Sequence, residues 1–166
     1  MQSGDVGQMR TDGQATGPLR PEDAPTVPPS VLLIDPDPDS RSICATLLRH
    51  HGFHVVEAPD GAQGVGIARD RQPDAIVTEL FGPKGQDRTV PAQLRQHPRT
   101  AGIPIIALTA HAMPGDEERA LSAGCDRYLT KPCEPLRVLQ ELRKSLKRSV
   151  VGSAPPKPSG ISIAAR

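Results

Sequence analysis

The stretch Asp74-Ala-Ile-Val-Thr-Glu79-Leu-Phe-Gly-Pro83 decides the fold of this chain. Its centre is a short run of branched apolar residues that ends in a carboxylate, a pattern typical of a buried parallel strand. Two other runs also lead from apolar residues to a polar one, Val31 to Asp35 and Ile105 to Thr109. The repetition predicts a parallel sheet with polar side chains along one edge.

Helical patterns lie between these runs, so strands and helices alternate along the chain. Asp37 and Pro38 are typical of a helix N-cap and its first position, and Gly52 suits the end of that helix. Gly64 and Gly66 weaken the second helix by about 1 kcal/mol each relative to alanine. The predicted strands span 31–35, 53–58, 75–79, 103–108 and 127–130, and the later helices span 60–70, 91–97, Pro114–Ala123 and Glu134–Arg148.

The alternation of five strands with five helices predicts an α/β fold in which a parallel sheet is covered on both sides. The first and last helices should each pack an apolar face on the sheet. These faces comprise Ile43, Cys44, Leu47 and Leu48 in the first helix, and Leu136, Leu139, Leu142 and Leu146 in the last.

Polar side chains at the ends of several predicted strands indicate a functional site. Right-handed crossovers and a reversal of strand order create a crevice at the carboxyl ends of such a sheet. Asp35, Glu79, Thr109 and Lys131 all lie at predicted strand ends. We therefore expect these four side chains to converge at one crevice.

Composition restricts the classes of function. The net charge of +1 favours neither nucleic acid nor membrane as a partner, and an aromatic content of 2% argues against a base-stacking platform. No apolar run approaches the ~18 residues of a membrane span, and no signal-peptide pattern is present. Three cysteines without a close pair favour a reducing compartment, so a cytoplasmic location is expected.

The ends of the chain differ in composition from its centre. Residues 1–29 and 149–166 are rich in glycine, proline and polar residues, and they contain little periodic apolar pattern. Such segments bury too little apolar surface to offset the entropy lost on ordering. They are predicted to be a disordered N-terminal arm and a flexible C-terminal tail around one domain of residues 30–148.

Taken together, the runs from Val31 to Asp35, Asp74 to Pro83, Ile105 to Ala110 and Tyr128 to Pro132 resemble the receiver domain of two-component response regulators. The resemblance extends over about residues 30–148. It implies a doubly wound, flavodoxin-like sheet with strand order 2-1-3-4-5.

The resemblance also assigns roles to residues of the crevice. In the family, two adjacent acids after the first strand hold Mg²⁺; Asp35 matches the first, and Pro36 stands at the second. The family's third strand ends in an aspartate that accepts a phosphoryl group, whereas this chain has Glu79 there.

Three further positions match residues of the family that respond to the phosphoryl group. Thr109 matches the switch hydroxyl, and Lys131 matches the lysine that pairs with the phosphoryl oxygens. Tyr128 matches the aromatic residue whose rotamer reports activation, and the Lys131–Pro132 bond is expected to be cis.

The departures from the family argue against phosphorylation. Magnesium needs octahedral oxygen ligands at ~2.0–2.1 Å, and Pro36 offers no side-chain oxygen. Glu79 carries its oxygens one bond further into the crevice, and a ~1 Å misplacement can cost on the order of 10²-fold in rate. Asp37 is a substitute metal ligand in one interpretation and the helix N-cap in the favoured one.

Two hypotheses explain Glu79 beside Lys131. A permanent ion pair could imitate the activated state, or the pair could only prevent an unpaired charge in the crevice. Thr109 and Tyr128 present a similar choice. They could couple the crevice to the outer surface, or they could be retained for packing.

Other polar clusters have simple interpretations. His50, His51 and His54 are interpreted as a helix end and the loop after it rather than as a metal site, because histidines suit the C-terminal dipole. Cys44 is predicted in the core, and Cys133 is a weaker candidate for redox chemistry. The last helix has a basic end that either complements its dipole or binds an acidic protein, formed by Arg143, Lys144, Lys147 and Arg148.

The sequence therefore predicts a stand-alone, atypical receiver that acts as a protein-interaction module, not as an enzyme, without aspartyl phosphorylation or a cofactor. A sensor histidine kinase or a downstream regulator is expected to bind the Pro114–Ala123 and Glu134–Arg148 helices, with no role for nucleic acid or membrane. The alternative is a phosphorelay receiver that accepts a phosphoryl group from a histidine kinase and needs Mg²⁺. A small-ligand binder is a third class, which no glycine-rich phosphate loop supports.

Overall fold

A computed structural model of the chain describes residues 27–80, 89–110, 113–132 and 135–151. The predicted N-terminal arm and C-terminal tail lie mostly outside these ranges, and Cys133 and Glu134 lie outside them as well. Ten elements alternate in type: β1 Ser30–Ile34, α1 Pro38–His50, β2 His54–Ala58, α2 Gly61–Arg71, β3 Ala75–Thr78, α3 Val90–Gln96, β4 Ile105–Thr109, α4 Asp116–Ala123, β5 Arg127–Thr130 and α5 Pro135–Val151.

The strands form one parallel sheet in the order β2-β1-β3-β4-β5, which confirms the predicted topology. The order reverses beside β1, whose last residue, Ile34, pairs with Ala58 of β2 and Thr78 of β3. The residues that follow β1 and β3 are Asp35 and Glu79. Both carboxylates therefore lie at the point where a doubly wound sheet opens a crevice.

Apolar side chains form one core on each face of the sheet. Successive residues of β1 point to opposite faces, so Leu32 and Ile34 join the core beneath α2, α3 and α4, while Val31 and Leu33 join the core beneath α1 and α5. All four are almost completely buried. Burial on both faces explains why the strands read as continuous apolar runs instead of alternating ones.

The helical faces differ in part from the prediction. Ile43 is 71% exposed and Leu136 is 58% exposed, although both were expected to face the core. In α1 the buried positions are Ala45 and Leu48. In α5 the buried stripe begins at Val138, and Leu136 lies off this stripe because two residues turn a helix by about 200°.

Several predicted element boundaries were wrong by one to three residues. The fourth helix begins at Asp116 and not at Pro114, because Gly115 takes a left-handed conformation as the N-cap, with a φ of 84°. The fourth strand starts at Ile105 and extends to Thr109, since Thr109 still pairs with Thr130. The last helix continues to Val151, three residues beyond the predicted end.

A guanidinium that sequence reasoning missed ties together the amino edge of the sheet. Arg95 of α3 donates to the carbonyl oxygens of Ala101, Ile103 and Gly124, at distances of 2.7, 2.7 and 2.9 Å. It also pairs at 2.8 Å with Asp126, which accepts the backbone N–H of Ile105. One side chain thus joins α3 to the segments that enter β4 and β5.

The two helical glycines of α2 occupy different environments. A Cβ atom at Gly64 would lie 2.3 Å from Cδ1 and 2.7 Å from Cγ1 of Ile34, whereas a Cβ at Gly66 would meet nothing within 4 Å. Gly64 therefore permits the close approach of α2 to β1. Only Gly66 behaves as the simple helix-weakening residue that its sequence predicts.

We expect Gly64→Ala to lower the free energy of unfolding by about 1–3 kcal/mol, because the buried Ile34 must move. Gly66→Ala is the matched control and should raise it by up to about 1 kcal/mol through helix propensity. Urea denaturation of both variants measures the two effects. Shifts of the same sign would contradict the packing role of Gly64.

Candidate functional site

Asp35 is positioned by β1 and by the start of α1. Its backbone N–H donates to the carbonyl of Ala58 at 3.2 Å, and its side chain is buried. Oδ1 accepts the backbone N–H of Asp37 at 2.9 Å. Asp37 in turn caps α1 by accepting the N–H of Ser40 at 2.6 Å, which confirms the N-cap interpretation.

Glu79 follows β3 directly and is also buried. Its backbone N–H donates to the carbonyl of Ile34 at 2.8 Å, which continues the ladder between β3 and β1. Its Oε2 accepts the backbone N–H of Ala110, just beyond β4, at 3.0 Å. The longer side chain of glutamate therefore reaches across the crevice to the neighbouring strand end.

Lys131 joins the two carboxylates. Its Nζ lies 2.7 Å from Oδ2 of Asp35 and 3.3 Å from Oε2 of Glu79. Burial opposes the charge of this ammonium group, but the hydrogen bonds and charges of Asp35 and Glu79 outweigh it, so the pKa of Lys131 is raised above its ordinary value. The group is therefore a fixed cation at neutral pH.

Ser40 is a residue of the crevice that sequence reasoning missed. Its Oγ accepts a hydrogen bond from Nζ of Lys131 at 2.7 Å and donates one to Oδ2 of Asp35 at 2.8 Å. The signal was available, because a residue in the first turn of α1 must lie close to the end of β1. The hydroxyl completes a triangle with the ammonium group and the carboxylate.

The remaining predicted residues lie in or directly after β4 and β5. Thr109 is fully buried at the end of β4, and its carbonyl accepts the backbone N–H of Lys131 at 2.7 Å. The Lys131–Pro132 peptide bond is cis. Tyr128 packs against the core beneath α2, α3 and α4, and burial followed by the charges of Asp116 and Glu117 raises its pKa.

The residues of the crevice do not fit the Mg²⁺ site that the family resemblance implies. Both oxygens of Asp35 already accept hydrogen bonds, and Pro36 contributes no side-chain oxygen. Asp37 caps α1 through its own carboxylate. Within the described ranges, no group of three or more His, Cys, Asp or Glu side chains is arranged to hold a metal ion.

The histidines and cysteines lie apart from the crevice. His50 and His51 stack edge to face at the end of α1, as the helix-end interpretation expects. Cys44 is only partly buried against the core beneath α1 and α5. Cys125 is buried, and desolvation raises the pKa of its thiol to about 12.

Comparisons with known proteins agree with this fold. A family model for the response regulator receiver domain matches residues 31–143. The transcriptional regulator RpaA of Synechocystis is 37% identical over 121 residues, which are 73% of this chain and 50% of RpaA. The response regulator DivK of Brucella anthropi is 28% identical over 120 residues, which are 72% of this chain and 98% of DivK.

A solved structure of a receiver domain is similar in fold to this chain. The receiver domain of the sensor histidine kinase PA1611 from Pseudomonas aeruginosa has a TM-score of 0.66 and 31% identity, covering 72% of this chain and 98% of that domain.

The chain belongs to the response regulator receiver family. It is thus a signalling module of two-component systems, a class that interacts with histidine kinases and other proteins. It spans half the length of RpaA and nearly all of DivK. Among the described residues, no helix is long and apolar enough to cross a membrane.

We expect Ser40→Ala to lower the free energy of unfolding by about 1–2 kcal/mol, because it removes hydrogen bonds to two charged groups. Ser42→Ala, at an exposed position of the same helix, is the matched control and should have little effect. Ser40→Thr retains a hydroxyl and should lose less than Ser40→Ala. Equal stability of Ser40→Ala and Ser42→Ala in urea would contradict the bridging role.

We expect the thiol of Cys125 to be protected in the native protein. A variant with Cys44 and Cys133 replaced by serine should react with iodoacetamide at pH 8 at least about 100-fold more slowly when folded than in urea.

The raised pKa of Cys125 also makes the free energy of unfolding depend on pH. The unfolded thiol ionises near pH 9.0 and the folded one near 12, so this thiol's contribution to stability is complete below pH 9.0 and is lost as the pH rises towards 12. Rapid alkylation of the folded variant at pH 8 would disprove the protection.

Proposed function

We propose that this receiver signals through protein contacts without aspartyl phosphorylation. The observation that supports the proposal is the position of the Lys131 ammonium, which contacts both Asp35 and Glu79. The group that would neutralise a phosphoryl oxygen is already paired with the carboxylates of the crevice.

Electrostatics supports this proposal. A phosphoryl group brings a charge of ≈ −1.5 to −2 and three acceptor oxygens. In the crevice it would meet two buried carboxylates, Asp35 and Glu79, which share the ammonium group of Lys131. Phosphoryl transfer depends on positioning and charge neutralisation, and neither is favoured here.

The contacts of Glu79 support a crevice with one constant conformation rather than one that switches. Its Oε2 receives the N–H of Ala110 and also contacts Lys131, so one carboxylate joins the ends of β3, β4 and β5. We infer that this contact fixes the position of Ala110, directly after β4. Under this proposal Thr109 and Tyr128 belong to a fixed conformation.

The partner surface is proposed to include α4 and α5. Met113 and Leu121 expose apolar side chains at α4, and Leu136 does so on α5. The outer face of α5 is basic through Arg143, Lys144 and Lys147, whereas the start of α4 exposes Glu117 and Glu118. A protein partner with both charged and apolar contacts fits this surface.

The second candidate is a working phosphorelay receiver. It is favoured by the presence of Lys131 and Thr109 at the strand ends and by the likeness to the PA1611 receiver domain, which is described with a magnesium ion coordinated in its active-site cleft. This candidate requires the Lys131 contacts to open when Mg²⁺ and a phosphoryl donor enter together.

Beryllofluoride with Mg²⁺ distinguishes the two candidates, because it imitates a phosphoryl group on an aspartate. We expect no saturable amide shifts around Glu79, Thr109 and Tyr128 in the full chain by NMR. Large saturable shifts at these residues would establish the phosphorelay candidate and end the first proposal.

Restoring the family's acids provides the matched control. We expect Pro36→Asp with Glu79→Asp to gain the Mg²⁺-dependent beryllofluoride response, because both a metal ligand and an acceptor of suitable length return. Glu79→Asp alone should gain little. A full response in Glu79→Asp alone would show that Pro36 is not the limiting residue.

A further inference from the structure

Two exposed cations of α5, Arg143 and Lys147, have no acidic partner within the ranges that the structure describes. The acid nearest to them along the helix, Glu141, already bonds to Arg127 at 3.0 Å and to Lys144 at 2.7 Å. Helix-dipole complementarity acts within the last turn, whereas Arg143 lies more than two turns before the end of α5. We call Arg143 and Lys147 the basic pair.

The basic pair lies on the flank of α5 that faces α1. The ion pair of Glu141 with Arg127 of β5 identifies the opposite flank, which faces β5. Each residue turns a helix by about 100°, so Arg143 and Lys147 lie about 200° and 240° around the axis from Glu141. On this layer of the sheet, α1 packs beside α5 over a shared core. The basic pair is therefore directed away from β5 and towards α1.

The N-terminal segment of the chain enters the sheet at the same edge. β1 begins at Ser30, whose N–H and hydroxyl donate to Asp74 at 2.7 and 2.8 Å. The 17 residues of α5 span about 26 Å and the 5 residues of β1 about 17 Å, so α5 runs back past the amino end of the strand. Val31, the second residue of β1, belongs to the core beneath α1 and α5. The residues before Ser30 therefore leave the sheet close to the second half of α5.

The sequence before β1 carries the complementary charge. Residues 1–26, which lie outside the described ranges, contain four acidic residues and two arginines. Two of the acids, Glu22 and Asp23, are adjacent, and we call them the acidic pair. Six residues separate Asp23 from Ser30, and three of the six are prolines. Proline-rich spacers extend by about 3.1 Å per residue, so the acidic pair has a reach of about 20 Å from the start of β1.

We propose that the acidic pair docks on the basic pair, so that the chain covers part of its own basic surface. A segment attached by a short spacer has an effective concentration in the millimolar range, which favours it over a second copy of the chain. Each exposed ion pair favours the docked state by a factor of only about 1.4–5, so another acidic group can displace this contact.

The docked segment limits access to α5. A protein partner that carries acidic groups must compete with the acidic pair for Arg143 and Lys147. This consequence rests on the proposed function, which includes α5 in the partner surface, whereas the docking itself does not.

The first test compares amide NMR spectra of the full chain and of the double variant Glu22→Gln with Asp23→Asn. We expect the largest shifts outside the substituted segment at Arg143 and Lys147, because their counter-charges have been removed. The reciprocal variant, Arg143→Gln with Lys147→Gln, should shift the amides of the acidic pair. All four residues are exposed or outside the described ranges, so these substitutions leave the core unchanged.

Two controls test whether the contact is specific. The double variant Asp5→Asn with Asp12→Asn removes the same charge from the same segment, further from β1, and should shift the basic pair much less. Arg69 and Arg71 are exposed cations at the end of α2, on the opposite face of the sheet. Their amides should not respond to loss of the acidic pair.

Unchanged amides at the basic pair would overturn the proposal, as would equal shifts at Arg69 and Arg71. Shifts that grow with protein concentration would also overturn it, because they would show docking between two copies of the chain. About 1 M NaCl should remove the difference between the wild type and the acidic-pair variant, since it screens exposed charges beyond about 3 Å. A difference that persists in this salt would contradict ion pairing.

The second test uses poly-L-glutamate as an acidic probe of the basic pair. We expect the acidic-pair variant to bind it at least about threefold more tightly than the wild type or the variant of Asp5 and Asp12. Arg143→Gln with Lys147→Gln should remove this gain. Equal affinity of the wild type and the acidic-pair variant would contradict the covering role. Neither test involves beryllofluoride, so the docking and the proposed function can fail separately.

Discussion

The contact of one ammonium group with two buried carboxylates is the interaction on which the carboxyl edge of this sheet depends. Lys131 follows β5, whereas Asp35 and Glu79 follow β1 and β3. Opposite charges at about 3 Å in a shielded site attract strongly, and losing either partner leaves the other buried without compensation. The positions of Ser40 and Ala110 follow from this contact, because both bond to the same carboxylates.

The same contact shows how a receiver fold can be kept while individual residues of its crevice differ from those of the family. One fold can host different residues at its functional site. Here Pro36 removes one acid from the crevice, and Lys131 meets the two that remain. The fold retains a complete hydrogen-bonded edge, and among the described residues every buried side-chain polar atom has a partner.

Much of this arrangement could be predicted from the sequence. Continuous apolar runs such as Val31 to Ile34 identified buried parallel strands, and Asp37 with Pro38 identified the start of α1. The place of Ser40 in the first turn of α1 indicates that it lies near the crevice, but its particular contact with Lys131, 91 positions away, follows only from the folded structure. Helix propensity alone also gave the wrong role for Gly64, because this glycine allows α2 to approach Ile34 closely. Ile43 and Leu136 show that helical spacing alone does not define a buried face.

The hydrogen bonds of Arg95 couple the local unfolding of several segments at the amino edge of the sheet. Its guanidinium joins α3 to the residues before β4 and to the turn between α4 and β5. If one of the carbonyl groups bonded to this guanidinium moves away, an N–H group of Arg95 loses its acceptor. Proteins exchange their amide hydrogens in such cooperative units. The amides of Ile105 and of the turn at Gly124 should therefore exchange with solvent together, as one unit of local unfolding.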